Sequence, residues 1–161
     1  MSPEAAAHVR ASWALVAPHA DAVADDFYHH LFELSPEAAA LFAHVDMAHQ
    51  RRKFMGMIHG LVQVLDDPGL LVSETAPAGR RHHHYHVRDE HYPLVGSALV
   101  GAIERQLGPA ATPEVRDAWR ELYALVSSVM RRASSRAGAT AGADHAAPAA
   151  GDVTPPAVAR A

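Results

Sequence analysis

Apolar residues recur every three to four positions along most of this chain of 161 residues, the period that lines one face of an α-helix. Val9, Trp13 and Val16 mark the first stripe and predict a helix over about 3–17. Val23, Phe27 and Leu31, with Tyr28 beside them, mark a second over about 19–34. A short helix over about 36–41 leads to Phe42. Met47, Gln50, Phe54, Met57, Ile58, Leu61 and Leu65 then share a face of a helix that starts after Asp46, a suitable cap, and ends at Asp66-Asp67-Pro68-Gly69. Tyr92, Val95, Leu99 and Ile103 mark a long helix over about 89–107, stopped at Gly108-Pro109. Val115, Trp119, Leu122, Tyr123, Val126 and Met130 mark the last, over about 113–136.

The starts of three helices carry one device. Ser2-Pro3-Glu4, Ser35-Pro36-Glu37 and Thr112-Pro113-Glu114 each place a capping hydroxyl first. A proline follows where no amide donor is needed, then a carboxylate in the positive first turn. No stretch sustains an alternation of period two, so the expected fold class is all-α, without a sheet. Residues 70–79 are harder to read. Leu70-Leu71-Val72 is apolar, but Pro77 and Gly79 disfavour one continuous helix, and Pro77 suits the first position of a fresh helix reaching Tyr85. After Arg136 alanine, glycine, proline and threonine dominate. The expected organisation is one folded unit over 1–136 and a disordered tail over 137–161, with at most a few residues of fraying helix and none past Gly138.

Composition narrows the setting. Hydrophobic residues make up 49% of the chain, enough to bury a core. The formal net charge of -4 argues against a nucleic-acid partner, which calls for a basic face. No apolar run approaches the roughly 18–20 residues of a membrane helix. Met1-Ser2-Pro3-Glu4 lacks the basic-then-apolar pattern of a signal peptide, so a cytoplasmic location is expected. There is no cysteine, hence no disulfide and no thiolate metal site.

Histidine is the outlier, with 13 in the chain, crowded at His82, His83, His84, His86 and His91. Solvated imidazoles at a helix end account for most of them. The setting still suits a single imidazole presented to a buried cofactor from the end of one helix, just before a corner. A second reading is a Zn²⁺ or Ni²⁺ site made by the cluster itself, since imidazole suits both ions. Against it, adjacent helical histidines point about 100° apart, and no carboxylate or thiolate set completes the shell.

Several ordered motifs resemble those of bacterial single-domain globins and of the haem domain of flavohaemoglobins. They are Phe27-Tyr28-His29-His30-Leu31-Phe32, Ser35-Pro36-Glu37, Leu41-Phe42, Gln50-Arg51-Arg52-Lys53-Phe54-Met55, Arg81-His82, Tyr85-His86-Val87, His91-Tyr92-Pro93-Leu94-Val95-Gly96 and Ala118-Trp119 with Tyr123. The match covers roughly residues 3–136. It implies a globin fold of about six to eight helices around haem b, with neighbouring helices crossing near 50°.

The resemblance makes His82 the proximal iron ligand; His83 and His84 compete for the role, and Val87 and Tyr92 fix the count on His82. Phe42 matches the aromatic that packs on the haem face, Tyr28 the distal tyrosine and Gln50 the distal glutamine. Phe54 would close the distal wall, where many members carry leucine. Val87 and Val95 would line the pocket. Tyr92 matches a tyrosine that orients the proximal histidine. The glutamate that joins it in flavohaemoglobins falls near Ser134 here, which lowers the expectation of peroxidase-type chemistry. His49 offers an alternative sixth ligand after a modest rotation of its helix, and Arg80 or Arg81 are candidate partners of the haem propionates.

The implied function is reversible binding of O2, NO and CO at a histidine-ligated iron. Tyr28 and Gln50 donate hydrogen bonds that slow oxygen release, and conversion of nitric oxide to nitrate is an implied activity. Electrons would come from a separate reductase, and the protein would be a monomer or weak homodimer. A haem-based gas sensor or a storage protein is the alternative within the same resemblance.

Overall fold

The structure is a computed structural model that describes residues 1–84 and 87–144. Among these residues the fold is all-helical, with no strand. Seven α-helices follow one another: α1 (Pro3–Val16), α2 (Ala20–Leu34), α3 (Pro36–Leu41), α4 (Met47–Gln63), α5 (Pro68–His84), α6 (His91–Leu107) and α7 (Pro113–Asp144). Short 3-10 turns at Ala17–His19 and Gly108–Ala110 join α1 to α2 and follow α6.

The predicted capping devices form. Ser2 Oγ accepts from the Ala5 N–H at 3.1 Å, Ser35 Oγ from Ala38 at 3.1 Å, and Thr112 Oγ1 from Val115 at 3.4 Å. Asp46 caps α4 by accepting from the N–H groups of Ala48 and His49. Each bond satisfies a donor that the first turn leaves unpaired. Gly108 ends α6 at φ 55°, a left-handed conformation that costs glycine little.

The apolar stripes become one core. Val9, Trp13 and Val16 of α1 are buried with Val23, Phe27 and Leu31 of α2, Ile58 and Leu61 of α4, Leu99 and Ile103 of α6, and Trp119, Leu122, Val126 and Met130 of α7. The two indoles pack 6.2 Å apart between ring centroids. Neither leaves its N–H unpaired, since Trp119 donates to Ser12 Oγ at 2.9 Å and Trp13 to His59 Nδ1 at 3.1 Å. Helix α2 packs against α4 and α6, and α5 packs along α7.

Two expectations fail. Residues 68–84 form one helix with Pro77 inside it, not a break followed by a fresh helix. An interior proline forfeits a backbone hydrogen bond and costs roughly 3 kcal/mol. Packing along α7 offsets this: Leu71, Thr75, Ala78 and Gly79 are buried, and Gly79 lies so close to α7 that a Cβ there would sit 2.4 Å from the Met130 carbonyl oxygen. Helix α7 also runs past both Arg136 and Gly138, to Asp144. Its last turns are rich in alanine, the best helix former, and no proline occurs between Pro113 and Pro148. Residues 145–161, the rest of the expected tail, lie outside the described residues, as do Tyr85 and His86.

Candidate functional site

The tyrosine and glutamine come from neighbouring helices. Tyr28 lies on the inner stripe of α2, fully buried, and Gln50 on the first turn of α4, half-buried. Gln50 Nε2 donates to the Tyr28 hydroxyl oxygen at 3.0 Å. That leaves the tyrosine's own O–H proton uncommitted to this bond and able to donate onward. Burial raises the Tyr28 pKa above its ordinary value, against the opposing pull of the Gln50 bond and the Arg51 charge. The phenol is thus protonated and a donor at neutral pH.

Aromatic rings enclose the pair. Phe54, one turn after Gln50, stacks on Phe27 with centroids 4.4 Å apart. Its ring lies 5.9 Å from that of Tyr28. Phe42, which ends α3, meets Tyr28 edge-on at 5.5 Å and Phe32 at the same centroid distance. Such contacts prefer offset or edge geometry, and they set the orientation of the phenol.

His82 stands in the last turn of α5, half-buried. Its Nδ1 is 3.2 Å from the hydroxyl oxygen of Tyr92, from the first turn of α6. Burial, with the Arg81 charge adding to it, holds the imidazole pKa below its ordinary value. The ring is therefore neutral near pH 7, as metal ligation requires. The corner that follows is closed by the Val87 N–H, which donates to the His82 carbonyl at 3.1 Å. Val87 and Val95 are half-buried and pack at the margin of the core.

Tyr92 is anchored in turn. Its carbonyl accepts from the Tyr123 hydroxyl of α7 at 2.6 Å. The expected glutamate position, Ser134, holds no acid, and the acid that acts on Tyr92 is Asp89, countered by Arg131. These two charges pair with each other through two contacts of 3.2 Å. They are 42 residues apart, and no spacing rule pointed to them.

The other candidates fall elsewhere. His49 is exposed on α4, and Arg80 and Arg81 are exposed on α5. The histidine cluster does not converge among the described residues. His91 is buried and accepts the Arg88 N–H on Nδ1 at 3.2 Å, away from His82. His91 does approach Glu37 and Glu90, with ligand atoms within 4.8 Å of one another. A cation already serves this group: Arg88 pairs with Glu37 and, at 2.8 Å, with Glu90. Arg88 thereby ties α3 to the corner, a role the sequence did not suggest.

Comparison with known proteins identifies the family of the chain. The globin family profile matches residues 25–130. A flavohemoprotein of Xylella fastidiosa is 33% identical over 132 residues, 81% of this chain and 33% of the relative. A flavohemoprotein of Rhodopirellula baltica is 34% identical over 117 residues, 71% of this chain and 29% of the relative. The chain thus spans about a third of the length of these curated relatives. Among solved structures, an engineered carbene transferase from Rhodothermus marinus, assigned as a nitric oxide dioxygenase, superposes with a TM-score of 0.80. It is 27% identical, and the match covers 88% of this chain and 99% of that one.

Proposed function

The chain belongs to the globin family, and on that footing we propose that it binds haem b through His82 and takes up oxygen and other diatomic gases beside Tyr28 and Gln50. The observation that carries this reading is the bond of 3.0 Å from Gln50 Nε2 to the Tyr28 hydroxyl. A buried tyrosine needs some partner. Here the partner takes up the oxygen's lone pair and leaves the proton to point at something else.

The residues fit haem on three counts. The Tyr92 contact engages His82 Nδ1 and leaves Nε2 as the ligating atom. Phe42 and Phe54 supply an apolar wall of the kind a porphyrin packs against. Tyr28 and Gln50 are neutral donors within that wall, suited to the partial negative charge on a bound gas. Haem, when bound, would supply the iron that takes up the gas and the redox chemistry by which nitric oxide combines with dioxygen to give nitrate.

The protein's part is placement. Helix α2 holds the phenol buried and protonated. Gln50 polarises its O–H, because a hydroxyl that accepts one bond donates the next more strongly. Phe27, Phe42 and Phe54 exclude water, which strengthens that bond. Each donor adds about 1–3 kcal/mol to retention of a polar ligand, and about 1.4 kcal/mol is a factor of ten in release. Slow release suits nitric oxide removal better than oxygen delivery. The electrons come from a separate reductase, and the flavohemoproteins among the relatives support a flavin as their source.

Absorption spectra of the ferric, ferrous and CO-bound forms test the reading. A Soret band at one haem per chain, shifting on reduction and again with CO, is expected. A colourless protein that takes up no added haem would overturn it.

A further inference from the structure

Two acid-free stretches meet at one end of the molecule. Residues 75–88 hold Arg80, Arg81 and Arg88 without an aspartate or glutamate, and residues 122–143 hold Arg131, Arg132 and Arg136, again without one. Helices α5 and α7 run side by side in the same direction, with Gly79 against Met130 and His83 against Gly138. That packing brings the stretches together. Glu37 and Glu90, which pair with Arg88, and Asp89, which pairs with Arg131, offset part of this charge, and the other arginines keep this end positive in a chain whose net charge is -4.

Beside this seam, between α7 and the corner after α5, opens a groove of about 510 Å³ lined by Asp89, Ser128, Arg131, Arg132, Ser135 and Arg136. Asp89, the acid in that lining, is matched by Arg131. Arg132 donates to the Ser128 hydroxyl at 3.0 Å, a neutral partner. Arg132 therefore gives the groove a positive charge that Asp89 does not offset. It also lies next to the iron-binding machinery: Asp89 is three residues before Tyr92, whose hydroxyl is 3.2 Å from His82 Nδ1.

We propose that this arginine groove is where an electron-donating flavoprotein docks through an acidic face. The inference rests on the haem reading above and adds the surface at which reduction occurs. The step is a single electron passing from reduced flavin to ferric haem, with no atom transferred. Redox encounters are small and transient and depend on charge to orient the partners. A positive end on a negative molecule provides that orientation, and Arg80 and Arg81 carry the charge onto the neighbouring helix. Exposed guanidinium groups on two neighbouring helices suit a protein face better than a single small anion.

The test uses the haem-loaded full chain in its ferric form, under CO, with reduced flavodoxin (a small acidic flavoprotein) as the probe. The wild-type reduction rate is expected to fall about tenfold between roughly 0.01 M and 0.3 M salt. Arg132→Glu with Arg136→Glu should lose about tenfold at low salt and most of the salt dependence. Arg120→Glu, further back on α7 where Arg120 pairs with Asp117, should change the rate less than about twofold. Reduction by dithionite should be the same for all three, showing that the haem site is intact. Equal losses in both variants, or a rate indifferent to salt, would overturn the proposal. So would suppression by inorganic phosphate at constant ionic strength, which would make the groove a small-anion site. A preparation without a haem band would instead bring down the functional reading, and this proposal with it.

Discussion

The Tyr92 hydroxyl oxygen lies 3.2 Å from His82 Nδ1 and joins the first turn of α6 to the last turn of α5 across the corner. Tyr92 is itself held from α7, through the bond of 2.6 Å from the Tyr123 hydroxyl to its carbonyl. Three helices thus fix the orientation of one imidazole. His82→Ala is expected to lower the haem-to-chain ratio after gel filtration severalfold, with added imidazole restoring the axial ligand. Tyr92→Phe should keep haem but lose about 0.5–1.5 kcal/mol of stability. A red His82→Ala protein with unchanged ligation by resonance Raman would show that another residue holds the iron.

On the distal side, Tyr28→Phe and Gln50→Leu should each speed oxygen release, by about tenfold for every 1.4 kcal/mol lost. The double variant should fall short of the product of the two effects. The glutamine acts partly by polarising the tyrosine to which it is bonded at 3.0 Å, and neighbours that share a bond are not additive. Stopped-flow measurement of oxygen dissociation in the four proteins gives the coupling directly. Fully multiplicative effects would mean that the two donors act independently.

Packing of α5 on α7 can be probed with one methyl group. In Gly79→Ala the new Cβ would sit 2.4 Å from the Met130 carbonyl oxygen and 2.7 Å from its Cα, backbone that cannot yield cheaply. A loss of about 1–3 kcal/mol is expected, seen as a fall in Tm of about 2–4 °C for each kcal/mol. Gly56→Ala on α4 meets nothing within 4 Å. It should gain about 1 kcal/mol from helix propensity alone. Thermal melts that moved both variants the same way would contradict this packing.

Stability should fall in alkali. Burial raises the pKa values of the Tyr28 and Tyr123 hydroxyls in the fold, and the neighbouring Tyr92 adds to the effect on Tyr123. In the unfolded chain both ionise near the ordinary value of about 10. Below that pH both states hold these protons and nothing is lost. Above it the unfolded chain releases protons that the fold retains, so unfolding becomes easier as pH rises. Tyr123→Phe should flatten the decline by up to about 1.4 kcal/mol per pH unit, even though it lowers the baseline by removing the bond to Tyr92. Urea midpoints at several alkaline pH values measure the slope, and an unchanged slope would mean that Tyr123 ionises as readily in the fold as out of it.

Much of the site was legible only because its motifs resemble a known family. The bare spacing of His82, Tyr28 and Gln50 places each on a helix but not beside one another. Gln50 meets Tyr28 across 22 residues and His82 meets Tyr92 across 10. Other contacts had no signal at all. Arg88 reaches Glu37 across 51 residues, and Arg131 reaches Asp89 across 42. The sequence gives the charges but not their partners.

Local sequence was enough to locate the capped helix starts and the apolar face of each of those helices. Ser2, Ser35, Thr112 and Asp46 cap as read, because a side chain and an amide two or three residues apart meet whatever the rest of the chain does. Packing between helices settled the outcome where local preference is weak or contradicted. Pro77 stays within an unbroken α5 because burial against α7 outweighs a lost hydrogen bond. The imidazole of His82 gains its orientation from a tyrosine on another helix. Interactions a turn apart are written in the chain; those between helices exist only once the core has brought their faces together.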